Sequence, residues 1–119
     1  MGKSLKKLAK NIGVEDARTH IFICAEPQKA KCCDRKVGQE SWDYLKKRLK
    51  QLGLAERGGV LRTKADCLRV CERGPIAVVY PDGIWYHSMT VENLERVITE
   101  HLVEGNPVEE FIFERNPLG

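Results

Sequence analysis

The sequence predicts an α/β domain built on a four-stranded mixed β-sheet flanked by helices. Three observations predict it. First, the β-branched and aromatic run His20-Ile21-Phe22-Ile23-Cys24-Ala25 is followed by Trp42, Leu45, Leu49 and Leu52 at helical spacing, and then by a short apolar run, Val60-Leu61-Arg62-Thr63. Second, Ile76-Ala77-Val78-Val79-Tyr80 and Ile84-Trp85-Tyr86-His87 are joined by Pro81-Asp82-Gly83, a tight hairpin turn. Third, 119 residues can bury a real core but are too few for two domains.

Taken in order, residues 1–17 form a basic N-terminal extension. Lys3, Lys6, Lys7 and Lys10 alternate with Leu5, Leu8 and Ile12 at helical spacing, which fits a loosely docked helix, a frayed tail, or a basic arm that meets an acidic partner or a membrane surface. Residues 18–105 form the domain. Its first strand breaks at Glu26-Pro27, and the polar segment from Glu26 to Gln39 reads as a loop. Ser41 is the expected N-cap of the helix that carries the Trp42 stripe, and Gly53 its expected stop.

Gly58-Gly59 open the second strand, and the hairpin supplies the third and fourth. Thr90 is the expected cap of a last helix whose apolar positions are Val91, Leu94, Val97, Ile98 and Leu102, ending at Gly105. The tail, residues 106–119, contains Val108, Phe111, Ile112 and Phe113, too apolar to be wholly free. It is expected to add a strand or cover a sheet edge, packed on the domain or at a dimer interface. Strand, helix, strand, strand, strand, helix is the succession of a thioredoxin-like fold.

Twenty basic and seventeen acidic residues leave a formal charge of +3, too balanced to argue for nucleic-acid binding. No apolar run approaches the length of a membrane span, so no membrane insertion is expected. The N-terminus lacks the apolar stretch of a secretory signal, which points to a cytoplasmic protein with reduced thiols.

The five cysteines carry the chemistry. An odd number fits poorly with a closed set of disulfides. A thioredoxin-like oxidoreductase needs C-x-x-C, and the chain contains none, so disulfide exchange through that motif is not expected. Counted from Cys24 through Cys33, the arrangement is C-x8-C, a gap of 33 residues, then C-x3-C at Cys67 and Cys71. Four thiolates converging from loops on a rigid sheet can hold zinc or a 2Fe-2S cluster. Zinc usually draws on close pairs, and only one such pair exists, so the spacing favours the larger cluster. His20, His87 and His101 stand in no short Cys-x-His pair and read as surface or partly packed residues.

The run HIFICAEPQKAKCCDRKVGQESW, followed by DCLRVCERGPIAVVYPDGIWYHSMTVENLERVITEHLVEGNPVEE, resembles the thioredoxin-like 2Fe-2S ferredoxins, relatives of the cluster-binding subunit of respiratory NADH dehydrogenase. The likeness spans about residues 18–110, and its most specific part is C-x3-C, Gly-Pro, an apolar strand, Tyr-Pro-Asp-Gly and Trp-Tyr. It implies one 2Fe-2S cluster held by Cys24, Cys67, Cys71 and one of the adjacent pair Cys32-Cys33. Cys33, nearer Gly38 and the following helix as that ligand is in the family, is the expected fourth ligand, with Cys32 as its alternative.

The resemblance also implies a homodimer that carries single electrons between a reductase and an acceptor, and no catalytic residue. Arg35, Lys36, Arg69 and Arg73 flank the ligands, where they offset the negative charge of a cluster or steer an acidic partner. Gly74-Pro75 stands where thioredoxin-like folds often carry a cis-proline. Trp85 and Tyr86 read as core and interface aromatics, and Lys46, Lys47, Arg48 and Lys50 as a solvated helix face. Competing readings are a zinc- or cluster-stabilised redox sensor or binding module, and a cluster subunit of a larger oxidoreductase.

Overall fold

The computed structural model of the protein describes residues 2–24, 35–55, 58–65 and 74–116. The expected mixed sheet is present, with five strands among the described residues rather than four. In spatial order they are β2 (Val60–Ala65), β1 (Thr19–Cys24), β3 (Ala77–Tyr80), β4 (Ile84–Tyr86) and β5 (Ile112–Arg115). β1 runs parallel to β2 and antiparallel to β3, while β4 is antiparallel to both β3 and β5. The fifth strand comes from the C-terminal tail, whose Val108 and Phe111 are buried beside it.

Alternation along the strands separates two faces. Ile21 and Ile23 of β1, Ala77 and Val79 of β3, and Ile84 and Tyr86 of β4 enter a single core. Both helices of the domain pack there. α2 (Arg35–Gln51) contributes Leu45 and Leu49, and α3 (Val91–Arg96), continued by a π-helical segment (Val97–Val103), contributes Leu94, Val97, Ile98 and Leu102. Phe22, Val78 and Trp85 alternate onto the other face, outside that core cluster. There His20 stacks on Phe22 at 4.2 Å, Phe22 meets Tyr80 edge-on at 6.1 Å, and Trp85 meets Phe113 edge-on at 6.4 Å. The buried apolar side chains of α2 and α3 lie in the core cluster, while Val78, at the centre of this other face, is itself only 2% exposed.

α2 starts at Arg35, seven residues before the start expected at Trp42, so Ser41 is not its N-cap. Ser41 sits fully buried inside the helix, and its hydroxyl donates to the Met89 carbonyl at 2.7 Å. The buried stripe of α2 is Gly38, Ser41, Leu45 and Leu49, with Trp42 and Leu52 half-buried at its margin. Its first two members are small, and apolar periodicity alone does not register them. Gly53 does end the helix, with φ +71 and its amide bonded to the Lys50 carbonyl.

Thr90 takes the N-cap position of α3, but its side chain makes no capping bond. Instead Asn93 donates its side-chain amide to the Ser88 carbonyl at 2.7 Å. The far end closes as expected at Gly105, where φ is +79 and the amide bonds to the His101 carbonyl. α2 and α3 are tied together by Arg48, which grips Glu95 through Nε at 2.9 Å and through Nη2 at 3.2 Å, while Tyr44 donates to the same carboxylate at 2.8 Å. Arg48 therefore belongs to an interhelical bridge and not to the solvated face. The remaining lysines of that run, Lys46, Lys47 and Lys50, line a groove of about 680 Å³ with Asp43 and Arg62, and Lys46 and Arg62 each approach the Trp42 ring.

The N-terminal extension contains a helix, α1 (Gly2–Ile12), joined to the domain through Gly13 and a short 3-10 turn (Val14–Asp16). Leu5 and Leu8 on it are exposed.

Candidate metal centre

One end of the sheet collects the ends of three strands. β1 ends at Cys24, which pairs with Ala65 at the end of β2, and Ile23 pairs with Ala77 at the start of β3. The chain therefore leaves the sheet after Cys24 and after Ala65, and returns to it after Pro75, all at the same end. The parallel β1–β2 pairing produces this convergence, because parallel neighbours finish at the same edge. The intervening helix returns the chain from one end to the other.

Cys24 is completely buried at that end. Its sulfur accepts a hydrogen bond from the Ile76 amide at 3.0 Å, and its own amide donates to the Ile76 carbonyl at 3.0 Å. A main-chain donor aimed at a sulfur is the kind of contact that ligand sulfurs accept in metal sites. Behind Ile76, the Gly74–Pro75 bond is cis. The Pro75 carbonyl accepts from the Met89 amide at 2.9 Å, and the Met89 carbonyl accepts from Ser41. This relay fastens the entry to β3 onto α2, so the donor to the Cys24 sulfur is anchored on two sides.

Cys32 and Cys33 fall in residues 25–34, and Cys67 and Cys71 in residues 66–73, so these four lie outside the described residues, as do Arg69 and Arg73. The two segments that carry them are the ones that leave the sheet at Cys24 and Ala65. Arg35 opens α2, and Lys36 beside it is exposed. Among the described residues, no three His, Cys, Asp or Glu side chains lie close enough to hold a metal ion.

The histidines are engaged elsewhere. His20 lies 2.7 Å from the Thr63 hydroxyl, and burial holds its pKa below the usual imidazole value. His87 lies 2.8 Å from the Ser88 hydroxyl. His101 is buried, contrary to the surface or partly packed position expected for it, and sits between the Tyr86 hydroxyl at 2.7 Å and the Asp82 carboxylate at 2.9 Å. The Val108 amide donates to the Tyr86 oxygen at 3.1 Å. Donors and acceptors balance when the Tyr86 hydroxyl donates to Nδ1 and the Nε2 proton goes to Asp82. Burial pushes the Tyr86 hydroxyl up to about 12. No sequence pattern marks this network, because its members come from a turn, a strand, a helix and the tail.

No protein-family model matches the chain. A 2Fe-2S ferredoxin of Aquifex aeolicus is 28% identical over 105 residues, covering 81% of this chain and 89% of the relative. A Priestia megaterium relative bearing a 2Fe-2S ferredoxin name is 33% identical over 101 residues, covering 84% and 74%. A 2Fe-2S ferredoxin of Clostridium pasteurianum is 29% identical over 93 residues, covering 75% and 89%. A solved thioredoxin-like [2Fe-2S] ferredoxin from Aquifex aeolicus superposes with a TM-score of 0.70 at 26% identity, over 86% of this chain and 96% of that one. In sequence and in fold, this chain belongs to the thioredoxin-like 2Fe-2S ferredoxin family.

Proposed function

We propose that the chain is a one-electron carrier holding a single 2Fe-2S cluster through Cys24, Cys33, Cys67 and Cys71, with Cys32 as the alternative to Cys33. The observation that carries this reading is the position of Cys24. Its sulfur is buried, faces a backbone donor, and stands at the edge from which both other cysteine-bearing segments depart. Cys67 follows Ala65 by two residues and Cys71 precedes Gly74 by three, so their tethers to this edge are short.

When bound, the cluster supplies the one-electron redox chemistry. The chain's own groups hold and tune it. The Ile76 amide offsets negative charge on one thiolate, as hydrogen bonds to ligand sulfur do in iron-sulfur sites. The relay through Pro75, Met89 and Ser41 keeps that donor in place, which limits movement when charge changes. Arg35, Lys36, Arg69 and Arg73 are sequence neighbours of the ligands, and in this reading they offset the site's negative charge and steer an acidic partner. No catalytic residue is needed, because substrates are the redox partners, a reductase and an acceptor.

The active unit in this reading is a cytoplasmic homodimer. The aromatic face with Phe22, Trp85 and the exposed Phe113, which lies outside the core cluster, supports it. Sedimentation of the purified protein tests the dimer, and a mass of one chain refutes it.

Iron and acid-labile sulfide assayed on anaerobically purified protein test the centre. Equal iron and sulfide, with a paramagnetic signal after one-electron reduction, support it. Zinc without sulfide ends it and leaves the zinc-stabilised module, while co-migration with a large complex in extract favours the subunit reading. Cys32→Ser and Cys33→Ser, made separately, decide the fourth ligand: loss of visible absorption in the Cys32 variant alone overturns the choice of Cys33.

A further inference from the structure

The N-terminal helix α1 precedes all five cysteines in the sequence, and its two faces differ sharply. Leu5 is 69% exposed and Leu8 60% exposed, and neither joins the core. Lys6, Lys7 and Lys10 are exposed too. At about 100° per residue, Leu5 and Leu8 are about 60° apart, while the three lysines lie about 100–200° around from Leu5. The helix contains no acidic residue, and the first carboxylates, Glu15 and Asp16, come only after Gly13 has broken it at φ +88. Val14, just past the break, is a further exposed apolar side chain.

We infer that α1 is a peripheral anchor that lays its leucines into the headgroup region of an anionic lipid surface. A short helix with leucine on one side and lysine on the other is the form that binds in the plane of an interface. The lysines supply attraction to anionic headgroups, and their methylene stems let the charges reach water and phosphate while the leucines sink. A protein groove is a poorer occupant. Stable protein interfaces bury about 800 Å² per partner with matched shape, and two leucines on one helix fall well short of that. A lipid surface demands no such complementarity. A nucleic acid would use the lysines but leave the leucines exposed, and the helix has no aromatic side chain for stacking. The helix cannot span a bilayer: its 11 residues reach about 16 Å, roughly half the hydrocarbon thickness.

The test uses the full chain with sedimenting vesicles of phosphatidylcholine alone and of phosphatidylcholine with an equal part of phosphatidylglycerol. Binding is expected on the anionic vesicles, falling in 0.5 M salt and absent on the zwitterionic ones. Lys6→Glu/Lys7→Glu/Lys10→Glu is expected to bind at least about a hundredfold more weakly, and Leu5→Ser/Leu8→Ser about tenfold more weakly with the same charge. All the substituted side chains are exposed, so both variants are expected to unfold at the wild-type temperature.

No binding to anionic vesicles, equal binding to both compositions, or wild-type binding by the leucine variant overturns the inference. Two rival occupants have their own outcomes. A wild-type oligomer that the leucine substitutions dissociate, with no vesicle binding, assigns the helix to a second copy. Retention on polyglutamate without vesicle binding assigns it to an acidic protein. Either result overturns the lipid reading, and none bears on whether the cluster is present.

Discussion

The Ile76 amide donates to the sulfur of Cys24 at 3.0 Å, and the Cys24 amide donates back to the Ile76 carbonyl at the same distance. The reciprocal pair extends the β1–β3 ladder by one step and turns a strand terminus into a sulfur site. Cys24→Ser keeps the ladder, since a hydroxyl can accept from Ile76, but it removes a thiolate. The variant is expected to fold and to retain about tenfold less iron than the wild type, at least the loss that follows when a ligand's supporting contact is removed. Iron assay and visible absorption measure this. Wild-type iron content in the serine variant would remove Cys24 from the ligand set.

Tyr86 organises a buried hydrogen-bond network with His101 and the Val108 amide. Tyr86→Phe deprives the Val108 amide of its acceptor and His101 of its partner inside the core. The expected destabilisation is about 1–3 kcal/mol, the cost of an unsatisfied buried group, read from urea unfolding. Alkaline pH gives a second signature. In the unfolded chain Tyr86 loses its proton near 10, and in the fold only at about 12. Its contribution is complete below pH 10 and is lost between pH 10 and 12, amounting to roughly 2–3 kcal/mol. Tyr86→Phe is expected to flatten that part of the alkaline decline relative to wild type.

Glu95 joins α3 to Arg48 and Tyr44 of α2, and the hydrogen bond from Arg48 holds its carboxyl below the usual carboxylate range. A depressed carboxylate stabilises the fold above its unfolded pKa, and that stability is lost as pH falls through the folded value. Glu95→Gln is therefore expected to be less stable than wild type at pH 7 and to approach it as the solution is acidified below pH 4. Denaturant midpoints at both pH values check this. A gap that widens on acidification would contradict the assignment.

Gly58 lies in the turn that leads from α2 into β2, with its amide on the Ala55 carbonyl at 3.0 Å. A methyl group there would run into the main-chain carbonyl of Gly53, which cannot swing aside as a side chain would. Gly58→Ala is expected to cost about 1–3 kcal/mol in urea unfolding. Among the described residues Gly53→Ala meets no atom within 4 Å, and there its cost comes from φ +71, so it is expected to be smaller, about 1 kcal/mol.

The amino-acid sequence by itself determined the family and most of the sheet. Alternation in Ile21-Phe22-Ile23, the Pro81-Asp82-Gly83 turn and the positions of Cys24, Cys67 and Cys71 are local patterns, and local patterns are written in one dimension. Only the tertiary structure decided what depends on a distant partner. Ser41 is buried in a helix because Met89 offers it a carbonyl 48 residues away. Arg48 turns from solvent because Glu95 meets it across two helices. The tail becomes β5 because β4 has an open edge to pair, and His101 is buried because Tyr86 and Asp82 satisfy both of its nitrogens. A small or polar residue carries no hydrophobic signal, so its burial is settled by the hydrogen-bond partner that the rest of the chain brings to it.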